Sequence, residues 1–132
     1  LITVWGGDQW RSNVNILDAA ELYQAILKAP SKTDGQIFNC ASFNLQASII
    51  AHRIAEILPA KVEIDRSKRD DRDYRMSAEK ACALLNWLPT RGLPRTAEEN
   101  AAFFSGGGIA DPNSDLYYNT RRMKALMEST TA

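Results

Sequence analysis

Five cations crowd a short stretch near the middle of this 132-residue chain: Arg66, Lys68, Arg69, Arg72 and Arg75. Another, Arg11, follows a short extended run near the N-terminus. Arginines gathered in this way suit anion recognition, because the planar guanidinium donates two parallel hydrogen bonds to phosphate oxygens. Asp70, Asp71 and Asp73 dilute the cluster. On spacing alone it reads as a solvated, self-paired charge run. The functional alternative has one or two of its arginines joining Arg11 around a diphosphate.

Other chemistries find little support. No G-x-x-G-x-x-G follows a strand, so no dinucleotide pyrophosphate cradle is expected. The three glycines at 106–108 have no strand before them and read as a flexible break. No tyrosine is followed four residues later by lysine; Tyr117 and Tyr118 meet Arg121 and Arg122 at that spacing. The single histidine, His52, lies opposite the Ile50 side of its expected helix, which places it in solvent. One histidine cannot build a metal site. Cys40 and Cys82 show no C-x-x-C spacing and read as buried, reduced thiols, which fits a cytoplasmic protein. Sixteen basic and sixteen acidic side chains cancel, so no global field draws the chain to nucleic acid or an anionic membrane. No apolar run reaches the length of a membrane span.

The elements that must position these residues alternate. Residues 1–5 read as a strand ending at glycines. Asp18 is expected to cap a helix whose apolar stripe is Leu22, Tyr23, Ile26 and Leu27. Residues 31–35 form a turn, and 36–41 a short apolar strand. Asn44 is expected to cap a second helix carrying Ala47, Ile50, Ile54, Ile57 and Leu58. Residues 61–65 alternate as a half-buried strand, and 66–75 form a charged loop. Ser77 opens a third helix through Leu85, with Asn86 at a left-handed C-cap. Pro94 opens a fourth helix ending near Phe104. A short helix around 123–127 follows. The fold class is α/β: short strands with four to five helices. Residues 1–105 form the main region; 106–132 form a glycine hinge and tail.

Four landmarks then occur in order. The run Ile2-Thr3-Val4-Trp5-Gly6, with Gln9-x-Arg11, Val14 and Asp18, resembles the strand, the Q-x-R-x-x-V-h-V-x-D motif and the following helix of the extended short-chain dehydrogenase/reductases. Phe38-Asn39-Cys40-Ala41-Ser42 resembles that family's F-N-V-G-S strand. Residues 70–77 with Lys80 resemble its D-x-R-x-Y-x-x-S/D-x-x-K-A loop. Leu85-Asn86-Trp87-Leu88-Pro89 resembles L-G-W-x-P. Asn15 stands where the family usually has histidine, and Ala41 and Thr96 where it commonly has glycine.

The resemblance implies the C-terminal, substrate-binding part of an NAD-dependent sugar-nucleotide epimerase or dehydratase, with an incomplete Rossmann sheet. It implies that Arg11 contacts the diphosphate of a nucleotide-diphosphate sugar, with a second arginine from Arg66, Arg69 and Arg72. The family's NAD(P) loop and its catalytic Tyr and Lys belong to the N-terminal half. No cofactor is therefore expected on these residues, and the chain alone is expected to be inactive. A free-standing, non-catalytic binding or assembly module of the same descent is the alternative. The chain opens with Leu1 inside an apparent strand, so it is expected to be the back part of a longer protein. In the family the 36–41 strand joins a sheet built by the first half; here its open edges invite pairing. The expected partner is that missing half or a second copy. Light scattering checks this: a monodisperse monomer would contradict it.

Overall fold

A computed structural model describes residues 1–68 and 70–130. The chain divides into two compact units, Leu1–Asn100 and Ala101–Ala132. Among the described residues the architecture is mixed α/β, with six α-helices and two two-stranded sheets.

In the first unit, β1 (Ile2–Trp5) runs parallel to β4 (Val62–Asp65), with Val4 opposite Ile64. The alternation of β1 turns Val4 inward and leaves Thr3 and Trp5 exposed. The antiparallel pair is β2 (Trp10–Asn13) with β3 (Phe43–Gln46), Arg11 facing Leu45. Helix α3 (Ala47–Ile57) leaves β3 directly and lies against β1 and β4. Its inner face carries Ala51, and His52 is exposed, as its helical position predicts.

Between β1 and β2 the chain turns through two glycines. Gly7 has φ +101°, a conformation side chains resist, and a Cβ there would come within 3.2 Å of Ser48 and 3.3 Å of Ile64. Gln9 locks the turn. Its Oε1 accepts from the Gly7 N–H at 2.7 Å, and its Nε2 donates to the Trp5 carbonyl at 2.7 Å.

Helix α1 (Ile16–Lys28) is capped by Asn15, not Asp18. The Asn15 Oδ1 accepts from the Leu17 N–H at 2.9 Å, satisfying a donor that the helix leaves open. Its Nδ2 donates to Thr96 Oγ1 at 2.9 Å. Asp18 lies inside the first turn with no solvent exposure. The buried face of α1 runs through Asp18, Leu22 and Ile26, one residue every turn. Tyr23 and Leu27, expected on the inner stripe, are 70% and 79% exposed. The buried carboxylate and its partners set that face, rather than apolar content alone.

Those partners come from the segment after α4 (Glu79–Leu85). Asn86 takes the left-handed conformation, φ 51°, and reverses the chain. Trp87 then buries against Leu22 and Ala81, with Cys40 and Cys82 partly buried beside them. Its indole Nε1 donates to the Asp18 carbonyl at 3.1 Å. The Asp18 carboxylate accepts from the Arg91 N–H at 2.9 Å, from the Arg91 guanidinium and from Thr90 Oγ1 at 3.4 Å. Arg91 also reaches Glu21 at 2.8 Å. Burial pushes the Asp18 carboxyl up, but these donors outweigh it and hold the group below its usual value.

Two further expectations are corrected. Residues 36–41 are irregular rather than a strand, because no strand of the described chain lies beside them to complete a ladder. Lys80 Nζ instead takes the Ile37 carbonyl at 3.0 Å, and Ile37 stays exposed. Pairing begins at Phe43, where β2 is available, so Asn44 falls in β3 and caps no helix. The predicted turn at 31–35 contains a single helical turn, α2 (Pro30–Thr33).

Helix α5 (Leu93–Ser105) ends in a hydrogen-bonded cap: Gly106 and Gly108 donate to the Ala102 and Phe103 carbonyls, both at 2.9 Å, with Gly107 at φ +77°. The three glycines thus close a helix end. In the second unit a 3-10 turn (Asp115–Tyr117) leads to α6 (Asn119–Thr130), longer than the short helix expected there. No helix among the described residues is long and apolar enough to cross a membrane.

Removing the Asp18 carboxylate strands buried donors and breaks a buried ion pair. Asp18→Ala is expected to lower unfolding stability by about 3 kcal/mol in urea denaturation. A loss below about 1 kcal/mol would mean that the pair acts like one on the surface.

Candidate functional site

Arg11 sits on β2, which is braced on both sides. One edge pairs with β3. Along the other runs the loop after β4: Asp73 Oδ1 accepts from the Trp10 N–H at 2.9 Å, and the Tyr74 N–H reaches the Trp10 carbonyl at 3.4 Å. Asn44 completes the attachment. Its side chain donates to the Met76 carbonyl and accepts from the Met76 N–H, both at 3.0 Å, much as a neighbouring strand would.

This attachment brings Asp70 over Arg11. The Arg11 Nη2 lies 2.6 Å from Asp70 Oδ2, and the side chain is only 16% exposed. Its Nη1 donates to the Trp10 carbonyl at 2.8 Å and to the Arg72 carbonyl. The Tyr74 ring lies 5.6 Å from the guanidinium carbon. Asp70 also grips Arg72 through both oxygens: Nε to Oδ1 at 2.9 Å and Nη2 to Oδ2 at 2.7 Å. The Arg72 side chain is 78% exposed. One carboxylate thus holds two guanidinium groups, one nearly buried and one in solvent.

Of the four arginines that the sequence nominates, the structure brings Arg11 and Arg72 together. Arg66 stands apart, paired with Asp8 at 3.1 Å. Arg69 lies outside the described residues. Asp8, Arg66, Lys68, Asp70, Asp71 and Asp73 line an open hollow of about 390 Å³ beside the clasp. A second hollow, of about 440 Å³, lies between β1 and α3, with Arg11 and Asp70 at its polar end.

The residue that sequence reasoning leaves out of the site is Asp70. Its signal was the two-residue offset to Arg72: the Asp70 Oδ1 also accepts from the Arg72 N–H at 3.2 Å, the local turn that aspartate favours. Gln9, by contrast, is fully occupied in the β1–β2 turn. Among the described residues no group of His, Cys, Asp and Glu could hold a metal ion.

The Arg72 guanidinium, and after it Arg11, hold the Asp70 carboxyl well below the usual aspartate range despite partial burial. A carboxyl depressed in the folded state contributes stability above its unfolded pKa, and that contribution is lost as pH falls through the folded one. The clasp is therefore expected to outlast ordinary surface carboxylates during acidification. Carbon-detected NMR of the Asp70 carboxyl should give a midpoint well below that of a free aspartate. A midpoint in the normal range would refute the clasp.

No protein-family model matches the chain, and no curated protein does. Solved structures do. RMD from Pseudomonas aeruginosa complexed with NADPH is 19% identical, with a TM-score of 0.60 over 73% of this chain and 33% of its own. A UDP-galactose 4-epimerase is 26% identical, with a TM-score of 0.59 over 76% of this chain and 35% of its own. A dTDP-glucose 4,6-dehydratase from Bacillus anthracis in complex with NAD is 15% identical, with a TM-score of 0.64 over 90% of this chain and 37% of its own. The chain thus spans about a third of the length of these relatives. Over that third, its fold is that of the extended short-chain dehydrogenase/reductases.

Proposed function

We propose that this chain is the sugar-nucleotide-binding portion of a cytoplasmic NAD-dependent epimerase or dehydratase, with Arg11 and Arg72 as the diphosphate contacts. The observation that carries this reading is the Asp70 clasp, which sets two guanidinium groups on one carboxylate beside β2. Arg11 is desolvated enough for a charged hydrogen bond to count, and Arg72 is exposed enough to meet a ligand arriving from solvent. The order of the four landmarks supports the same assignment, as do the activities named for the relatives. The nicotinamide chemistry of the whole enzyme is assigned to the N-terminal half of such a protein. These residues contribute binding and orientation.

Calorimetric titration with UDP-glucose and dTDP-glucose tests the reading. Binding is expected for at least one of them, and Arg11→Ala should cost roughly 1.5–3 kcal/mol of it, about ten- to 150-fold in Kd. An affinity unchanged by Arg11→Ala would remove Arg11 from the site.

A further inference from the structure

The clasp has an electrostatic consequence that rests on the diphosphate reading but goes beyond it. Two guanidinium groups carry two positive charges, and Asp70 supplies one negative charge between them. Among the described residues, Arg11 Nη2 is buried and makes no directed hydrogen bond, although the Asp70 oxygen lies close to it. The pair is therefore held by one carboxylate, which Arg72 engages through two hydrogen bonds and Arg11 through charge.

We propose that Asp70 is a specificity-determining residue that sets a charge threshold on this site, excluding single phosphates and yielding to two linked ones. A lone phosphate that displaces the carboxylate exchanges one anion for another between the same two forks. Two linked phosphates give each guanidinium its own bidentate partner, and offer a better-directed acceptor to the buried Arg11 Nη2. The displaced carboxylate has somewhere to stay, because the Arg72 backbone N–H still binds it from within the loop. No bond is made or broken in the exchange; one set of ion pairs replaces another. A carboxylate left beside bound phosphate is repulsive, so discrimination comes from the unfavourable contact as well as the favourable one.

The experiment measures Kd for inorganic phosphate and inorganic pyrophosphate with the wild-type chain, Asp70→Asn and Asp65→Asn. Asp65 meets Ser67 and Lys68, and Asp65→Asn makes the same charge change nearby. The wild type should prefer pyrophosphate by roughly tenfold or more, and Asp70→Asn should bind phosphate roughly tenfold tighter, so the preference shrinks. Asp65→Asn should keep the wild-type preference. The threshold is overturned if Asp70→Asn leaves phosphate affinity unchanged or weaker, or if Asp65→Asn has an equal effect. If UDP-glucose and dTDP-glucose both fail to bind while this pattern holds, the threshold stands and the nucleotide reading falls. If a nucleotide sugar binds but the pattern is absent, the reverse follows. Should Asp70→Asn not fold, NMR of the wild type decides. Its Asp70 carboxyl resonance should move with pyrophosphate and stay fixed with phosphate at equal ionic strength; a resonance fixed with both overturns the proposal.

Discussion

The carboxylate of Asp18 is the joint on which the first unit is assembled. A charge wholly removed from water is tolerated only when donors surround it. Those donors come from Thr90 and Arg91, more than seventy residues away. To deliver them, the chain must leave α4, reverse at Asn86, bury Trp87 against α1 and bring Arg91 back to the first turn. The indole of Trp87 adds a bond to the backbone of the same aspartate. Directed bonds of this kind specify one docking of α1, which Leu22 and Ile26 alone would not. The exposed Tyr23 and Leu27 show the result: the helix turns its most heavily bonded face inward, not its most apolar one.

The candidate site depends on a second joint of similar logic. Among the described residues strand β2 has one strand neighbour, β3, and the loop after β4 takes up its remaining edge. Asp73 and Tyr74 meet Trp10, while Asn44 holds Met76 through both ends of its amide. An irregular loop is thereby fixed to a regular element, and Asp70 is held over Arg11. Asp73, Tyr74 and Asn44 thus fix the loop that places Asp70 between the two guanidinium groups. The hollow beside it sets four aspartates against Arg66 and Lys68, an excess of acidic groups among its described lining.

Several residues take a role in the fold other than the one their local sequence suggests. Asp18 is expected to cap α1, yet Asn15 does the capping and Asp18 anchors a distant segment. Asn44 is expected to cap a helix, yet it lies in β3 and holds Met76 much as a neighbouring strand would. Residues 36–41 have the composition of a strand, but a strand is a relation between two segments, and no second segment pairs with them among the described residues. Asn15 and Thr96, two of the places where the chain departs from the family pattern, hydrogen-bond to each other. The two departures form one contact, which no linear reading of either position would reveal.

The sequence by itself determined what depends on near neighbours: the approximate places of five of the helices, the left-handed turn at Asn86, the exposure of His52, the glycine turn after β1 and the presence of a cation cluster. These follow from backbone preferences and periodicity over a few residues. Only the tertiary structure decided which cations act together. Arg66 and Arg72 are equivalent in type and share one loop, but the register of that loop against β2 puts Asp70 between Arg72 and Arg11 and leaves Arg66 with Asp8. Charge attraction is indifferent to sequence position, so the choice among equivalent ions falls to the long-range contacts that fix the distances between them.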